Sequence, residues 1–279
     1  MPLNTIPKLT ITLFTLFLLS CSNGGTMSQE KVNLPSINDV SASAWGKLSQ
    51  KSFYFGHQSV GFNIIDGIKD VMKEHPQIKL NIVESSDAAD LRVGTFEHSR
   101  VGKNVEPKSK VDEFVQFLRN GIGNKANFVF LKFCYVDIRG ESDVNDIFAY
   151  YKESMAKLKQ EFPNTTIIHF TVPLTTTRTT WKTVVKKIIG RKTWEYDDNI
   201  KRNQYNQILV NTYSGKEPVF DLAKVESTFP NGRRCTFSKD GKTYYSLVPE
   251  YTTDGGHLNE IGRKIVAEQL LIFLAKLGS

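Results

Sequence analysis

The chain has 279 residues, a formal net charge of +7 and only three cysteines. This length is enough for one sizeable α/β domain, and so few cysteines exclude a disulfide-rich scaffold. The basic charge comes without a nucleic-acid-binding motif, so it favours contact with anionic lipid or cell-wall polymer, although a solvated basic surface explains it equally well.

The first 20 residues have the pattern of a secretory signal. Lys8 is the only charged residue before an apolar run at 11–19, which is too short to span a bilayer stably. The sequence Leu-Leu-Ser-Cys then ends at Cys21 and resembles the lipobox of bacterial lipoprotein signals. The resemblance implies cleavage before Cys21, acylation of Cys21, and a protein anchored on the exported side of the cell membrane or the outer membrane. An ordinary signal peptide with a chance cysteine is the alternative.

Residues 21–45 are polar and predict a flexible tether, and residues 46–279 predict one folded domain. The domain begins with an aromatic run, 53–55, that indicates a buried strand ending at Gly56. Apolar residues at helical spacing follow over 63–73, and Ser59 lies in the turn between the two elements. Such a turn places a side chain at the carboxyl end of a strand, beside the free N–H groups of a helix N-terminus.

The remaining chain alternates between strand and helix patterns. The predicted strands are 77–83, 128–131, 165–172 and 218–222, and the predicted helices are 108–118, 143–161, 201–211 and 260–277. This alternation predicts an α/β fold with a mostly parallel central sheet and helices on both faces. Sites in such sheets form at the carboxyl ends of the strands, where Ser59 and residues 134–137 are expected.

Two segments depart from the alternation. Residues 239–242 read Lys-Asp-Gly-Lys between β-prone runs, which predicts a hairpin near the site. Residues 174–196 carry Trp181 and Trp194 on either side of a lysine-rich stretch. This segment is interpreted either as a rim that touches a polymer or membrane, or as a solvated loop whose tryptophans pack on the domain.

Serine, aspartate and histidine supply the candidate chemistry. Asp254 and His257 stand three residues apart in the sequence Asp-Gly-Gly-His, and Ser59 precedes them by most of the chain. A histidine can take the proton from a serine hydroxyl, and an aspartate can hold the imidazole in the required tautomer. Taken singly, Ser59 is equally typical of a helix cap and Asp254 of a turn.

These residues and their order resemble the SGNH (GDSL-like) hydrolases, over residues 51–277. Asp254 and His257 match the Asp-x-x-His block before the last helix of that family. Gly-His-Gln-Ser, ending at Ser59, matches the Gly-Asp-Ser block with one extra residue. The resemblance implies a flavodoxin-like three-layer α/β/α sandwich and a serine esterase in which Ser59, Asp254 and His257 are catalytic.

The same resemblance implies donors for an oxyanion. They are the backbone N–H groups of Ser59 and Gly102, with Asn104 near Gly102. The third block reads Cys-Tyr-Val-Asp at 134–137, so Val136 replaces the usual asparagine and cannot donate from its side chain. Tyr135 is the other substitute donor.

No cofactor is expected, and no metal site is predicted, because His57, His98 and Asp137 lack the spacing of a ligand set. Apart from Cys21, only Cys134 and Cys235 remain, and Cys134 lies in an apolar run that predicts burial. The pairing of these two cysteines and the oligomeric state are left open.

Together, these features predict an exported, lipid-anchored serine esterase that removes an acyl or acetyl group from a carbohydrate or another cell-envelope ester. A binding lipoprotein that has lost catalysis and an O-acyltransferase are the alternatives, since both are compatible with the same fold.

The predicted anchor is tested at Cys21. Cys21→Ala should leave the protein unprocessed and move it out of the membrane fraction, because the acyl chains attach to that sulfur. Fractionation and mass spectrometry of the N-terminus measure both effects. Unchanged processing and membrane association would contradict the lipoprotein prediction.

Overall fold

A computed structural model describes residues 31–177 and 194–278. The predicted signal, Cys21, most of the tether and Trp181 lie outside these residues, and Trp194 is described only as the first residue of a helix. Among the helices described, none combines the length and the hydropathy needed to cross a membrane.

The numbered helices are α1 Ala42–Leu48, α2 Val60–Glu74, α3 Pro107–Phe117, α4 Val144–Glu161, α5 Trp194–Tyr213, α6 Leu222–Glu226 and α7 Glu260–Leu277. A π-helical segment at Leu118–Ile122 and a three-residue helical segment at Gly123–Lys125 follow α3. The strands are β1 Phe53–His57, β2 Asn81–Glu84, β3 Thr95–Arg100, β4 Phe128–Leu131, β5 Thr166–Phe170, β6 Val219–Phe220, β7 Thr236–Lys239 and β8 Lys242–Tyr245. Short 3₁₀ turns lie at Ile37–Asp39, Tyr135–Asp137 and Pro249–Tyr251.

The first six strands form one parallel sheet in the order β2-β3-β1-β4-β5-β6. Without the edge strand β2, this order is that of a flavodoxin-like sheet. Helices cover both faces: α1, α2, α6 and α7 pack on one apolar core, and α3, α4 and α5 pack on the other. The predicted three-layer α/β/α fold is therefore confirmed.

Aromatic side chains fill the centre of the sheet, which explains why β1 and β4 have continuous apolar sequences. The ring centroids of Phe55 and Phe130 lie 4.8 Å apart, and the stacked rings of Phe130 and Phe170 have centroids 5.0 Å apart. All three are buried. These contacts fix β1 between its neighbours and so fix the end of the strand from which the chain turns at Ser59.

The sequence pattern does not indicate β3. Glu97, His98 and Ser99 stand in this strand and are all buried, so neither a continuous apolar run nor an apolar–polar alternation is present. The strand predicted at 77–83 lies later, at Asn81–Glu84. The hairpin is confirmed as antiparallel β7 and β8, with positive φ at Asp240 and Gly241 in its turn.

Helices α2 and α7 pack closely side by side. At Gly67 a Cβ atom would lie 2.3 Å from the carbonyl oxygen of Arg263 and 2.9 Å from the Cβ of Ala267. The α7 backbone therefore occupies the space that a side chain at this position would need. This contact holds the helix that begins after Ser59 against the helix that follows His257.

Two glycine substitutions test this packing. Gly67→Ala should destabilise the fold by about 2 kcal/mol, because the new methyl group meets backbone that cannot rotate away. Gly46→Ala is the matched control: the helical Gly46 has no atom within 4 Å of the added Cβ, and this change should stabilise by about 0.5–1 kcal/mol. Urea unfolding measures both. Equal effects of the two changes would contradict the close approach of α2 and α7.

Candidate active site

Ser59 lies between β1 and α2 in a strained backbone conformation. Its φ is 52° and its ψ is −112°, a combination that type II′ turns usually give to glycine. Its side chain makes no capping hydrogen bond to the helix that follows. Ser59 is therefore the N-cap residue of α2 by position, but its hydroxyl does not cap the helix. Strain of this kind costs about 1–3 kcal/mol and occurs most often at functional sites.

Ser59, His257 and Asp254 form a continuous chain of hydrogen bonds. The Ser59 Oγ lies 2.6 Å from His257 Nε2, and His257 Nδ1 lies 2.6 Å from Asp254 Oδ2. An ionised carboxylate can only accept, so Nδ1 of the neutral imidazole carries the proton and Nε2 accepts from the serine hydroxyl. The structure thus brings together the three side chains predicted to be catalytic.

The loop that carries His257 is held in place at both ends. Leu258 donates its N–H to the Asn63 side chain on α2 at 3.2 Å, and the Thr252 and Leu258 backbones form a β-bridge. Asp254 Oδ1 accepts the N–H groups of Gly256 at 2.9 Å and His257 at 2.8 Å. One aspartate therefore orients both the backbone and the imidazole of this loop.

Asp254 is an anion at neutral pH. Partial burial by itself raises its pKa, but hydrogen bonds from the Gly256 N–H and from the ring and N–H of His257 outweigh burial and lower the pKa to about 2. The side chains of Asp254 and His257 are 53% and 42% exposed. The triad is therefore ionised at its carboxylate and open to an incoming molecule.

The predicted oxyanion donors differ in their availability. The Ser59 N–H has no acceptor among the described residues. The Gly102 N–H instead donates to the carboxylate of Glu113. The Asn104 amide oxygen accepts from Lys110 Nζ at 2.9 Å. A role for Gly102 as predicted would require its bond to Glu113 to be exchanged for one to substrate.

Tyr135 lies beside the imidazole. Its ring meets the His257 ring edge to face, with the centroids 5.5 Å apart. Burial raises the pKa of Tyr135, and the Asp254 carboxylate raises it further, so the phenol stays protonated. Its hydroxyl has no partner in the described part of the chain, which leaves a neutral O–H donor next to His257.

Gln58, Lys110 and Asp137 fix the loops around the serine. Gln58 Nε2 donates to the carbonyls of Val101 at 2.9 Å and Gly102 at 2.5 Å. Asp137 accepts from Lys110 Nζ at 2.6 Å, and both side chains are fully buried. None of these three supporting roles is predictable from the sequence, because a lone glutamine, lysine or aspartate has no periodicity that reveals its partner.

Asp137 also binds backbone groups from two loops. It accepts the N–H of Cys134 at 2.6 Å and the N–H of Val105 at 2.9 Å. Val105 has a φ of 73°, which is unusual for a β-branched residue. Asp137 thus connects the loop after β3 to the turn after β4. Removal of the Asp137 or the Lys110 charge would leave the other charge buried and unpaired.

His57 and His98 form a buried pair behind the serine turn. His57 Nε2 lies 3.1 Å from His98 Nδ1. Burial lowers the pKa of both, that of His98 to about 4, so both are neutral at physiological pH. No cluster of histidine, cysteine, aspartate or glutamate within 31–177 and 194–278 could hold a metal ion. Cys134 is buried, and no disulfide joins Cys134 to Cys235.

A pocket of about 630 Å³ adjoins the loop that carries His257. Its lining is rich in hydroxyl and charged groups: Tyr135, Val136, Arg139, Thr175, Thr176, Asp198, Arg202, Pro249, Thr252, Thr253, Asp254, Gly255 and Gly256. Its volume lies within the range of about 300–1,000 Å³ that is common for small-molecule sites. The pocket shares Asp254 with the triad, and Tyr135 lies between the pocket and the His257 ring.

No protein-family model and no curated protein matches the sequence. Among solved structures, the chain is similar to a lipase/acylhydrolase from Enterococcus faecalis, with 13% identity, coverage of 81% of this chain and 95% of that one, and a TM-score of 0.45. It is similar to an acetyl esterase, with 12% identity, coverage of 81% and 96%, and a TM-score of 0.45. It is also similar to the periplasmic domain of a lipopolysaccharide acetyltransferase from Salmonella ser. Paratyphi A, with 13% identity, coverage of 82% and 86%, and a TM-score of 0.43. These likenesses concern the fold alone.

The strain at Ser59 predicts a difference between two substitutions. The free energy of unfolding of the Ser59→Gly variant should be about 1 kcal/mol higher than that of Ser59→Ala, because glycine adopts a positive φ without the Cβ clash. Both variants lack the hydroxyl, so the comparison isolates the backbone. Urea unfolding of the two proteins measures the difference. Equal stabilities, or a less stable glycine variant, would contradict a strained serine turn.

Proposed function

We propose that this protein is a serine ester hydrolase in which Ser59 is the nucleophile, His257 the general base and Asp254 the residue that orients the base. The observation that carries this proposal is the hydrogen-bonded chain from Ser59 Oγ through His257 to Asp254, at 2.6 Å for each contact. The strained backbone at Ser59 supports it, because a serine that only capped α2 would need no such conformation.

The chemistry follows from the proton positions. Ser59 Oγ attacks the ester carbonyl while its proton passes to His257 Nε2. Asp254, held as an anion, stabilises the imidazolium that results. The protonated imidazole then gives its proton to the departing alcohol, which leaves an acyl-serine. Water, deprotonated by His257, attacks this ester, and the carboxylic acid leaves as the serine recovers its proton.

The carbonyl oxygen becomes negatively charged in each addition step. The Ser59 N–H is one donor without an acceptor among the described residues, and the Tyr135 hydroxyl is a second neutral donor beside His257. A single donor of this kind contributes about 3 kcal/mol to the stabilisation of the transition state. Gly102 contributes only if substrate displaces its present partner, Glu113, whereas the bond from Lys110 engages the amide oxygen of Asn104 and not its NH₂ donors.

The proposed substrate is an acyl or acetyl ester on a carbohydrate or another component of the cell envelope. This choice rests on the predicted lipid anchor at Cys21 and on the exposure of the triad, which suits a group carried on a large molecule. About half of the Asp254 side chain and half of the His257 side chain are exposed. This exposure also admits water, which favours hydrolysis over acyl transfer to a second alcohol.

A fluorophosphonate probe and an activated ester test the triad. Ser59→Ala and His257→Ala should each lower kcat for 4-nitrophenyl acetate by up to about 10⁶-fold, and the double variant should lose little more, since triad members act as a unit. Asp254→Asn should lose less, because part of the imidazole orientation persists. The probe should label the natural protein at Ser59.

Ser49→Ala is the control for these changes. Ser49 follows α1 at the amino end of β1, on the opposite edge of the sheet, and its hydroxyl bonds only locally to Gly46 and Gln50. It should retain full activity and labelling. A folded protein that neither turns over simple esters nor labels at Ser59 would remove the enzyme proposal and favour the binding lipoprotein. Product analysis with an added sugar acceptor distinguishes hydrolysis from acyl transfer.

A further inference from the structure

The pocket beside the triad contains one cationic side chain that has no anionic partner among the described residues. Arg139 follows the turn after β4 and is half-buried in the pocket wall. Its Nε donates to the Val136 carbonyl at 3.1 Å, which fixes the direction of the side chain. The two Nη nitrogens have no acceptor in the described ranges.

The other charges in the wall are already matched. Arg202 is buried and donates from Nε to the Tyr135 carbonyl at 2.8 Å, and from Nη1 to Thr175 Oγ1 and Asn199 Oδ1 at 2.9 Å each. Asp198 accepts the Gly140 N–H at 2.8 Å and lies 3.6 Å from Arg202 Nη2. Asp254 is engaged with His257. Among the charged side chains that the structure describes in this wall, only Arg139 makes no ion pair and leaves its two Nη nitrogens without an acceptor.

The geometry points to a binding site for the anionic part of the substrate: we propose that Arg139 holds a carboxylate or phosphate group of the ester whose acyl group Ser59 removes. The inference rests on the proposed esterase function and names its substrate class, an acylated uronate or an acylated polyol phosphate. A guanidinium presents two parallel N–H donors that match both anions, and a half-buried site strengthens the bonds.

The rest of the lining suits a polyol or sugar. Thr176 and Thr253 present hydroxyl groups, and Tyr135 presents an aromatic ring between this pocket and His257. An anion bound at Arg139 would therefore occupy the pocket that Asp254 of the triad also lines. The formal charge of +7 also attracts anionic polymers over a longer range.

Calorimetry on the Ser59→Ala protein tests binding without turnover. The probes are a galacturonate trisaccharide, a short glycerol phosphate oligomer and the neutral xylotriose. We expect at least one anionic probe to bind about tenfold or more tightly than xylotriose, and Arg139→Gln to abolish this preference. Arg139→Lys should restore part of it, because it keeps the charge but not the two-pronged fork.

Arg92→Gln is the matched control. It removes the same charge from an exposed position before β3, at the amino ends of the strands, and should leave the preference unchanged. Melting curves show whether each variant is folded. Which anionic probe binds distinguishes a uronate from a polyol phosphate. Equal affinity for the neutral and anionic probes, no binding of any probe, or an effect of Arg92→Gln equal to that of Arg139→Gln would overturn the proposal.

Turnover separates this proposal from the esterase proposal. The natural protein should deacetylate acetylated pectin or an acetylated glycerol phosphate polymer faster than acetylated xylan, and Arg139→Gln should remove the difference while activity on 4-nitrophenyl acetate persists. Esterase activity that is indifferent to anionic groups would overturn the role of Arg139 alone. Selective anion binding without any ester hydrolysis would overturn the proposed reaction instead.

Discussion

The backbone at Ser59 is the constraint on which the site depends. β1 is fixed by aromatic packing between β3 and β4, and α2 is fixed against α7 by the close approach at Gly67. The connection between these two rigid elements is short, so Ser59 takes a positive φ that serine normally avoids. This conformation turns its hydroxyl away from the N-terminus of α2 and toward His257. Packing of the sheet and helices provides the free energy that offsets the strain at Ser59.

Buried hydrogen bonds and one ion pair also fix the loops around Ser59. Gln58 holds the carbonyls at 101–102, and Asp137 binds Lys110 and the backbone of the loops after β3 and β4. Each of these groups has its partners in place without substrate. Donors and charges that are fixed in this way need no reorganisation during a reaction, which is the physical basis of electrostatic preorganisation. The buried and neutral histidine pair, His57 and His98, packs behind the serine turn without bringing charge near it.

Around the pocket, side chains that already have hydrogen-bond partners support the wall, and side chains with free donors are the candidates for binding. Arg202 and Asp198 are bound to their neighbours and support the wall, whereas Arg139 and the Tyr135 hydroxyl keep donors free. The site therefore combines a serine hydrogen-bonded to a histidine, a neutral donor and a cation on adjoining loops at the carboxyl ends of parallel strands. A parallel sheet makes this possible because several strand ends meet at one edge while the rest of each strand stays buried.

The sequence by itself determined the alternation of strands and helices, the parallel sheet and the residue types of the triad. Periodicity and short-range spacing encode these features, and Asp254 and His257 are close enough in sequence to share one loop. Only the tertiary structure decided that Ser59 meets His257 across 198 positions, that Glu113 takes the Gly102 N–H, and that Arg139 keeps its charge free. β3 was not predicted for the same reason: its buried His98 and Ser99 bond to His57 and Tyr54 of β1, and the local sequence pattern does not reveal these partners. Partners of polar groups depend on distances across separate loops, and these distances exist only once the chain has folded.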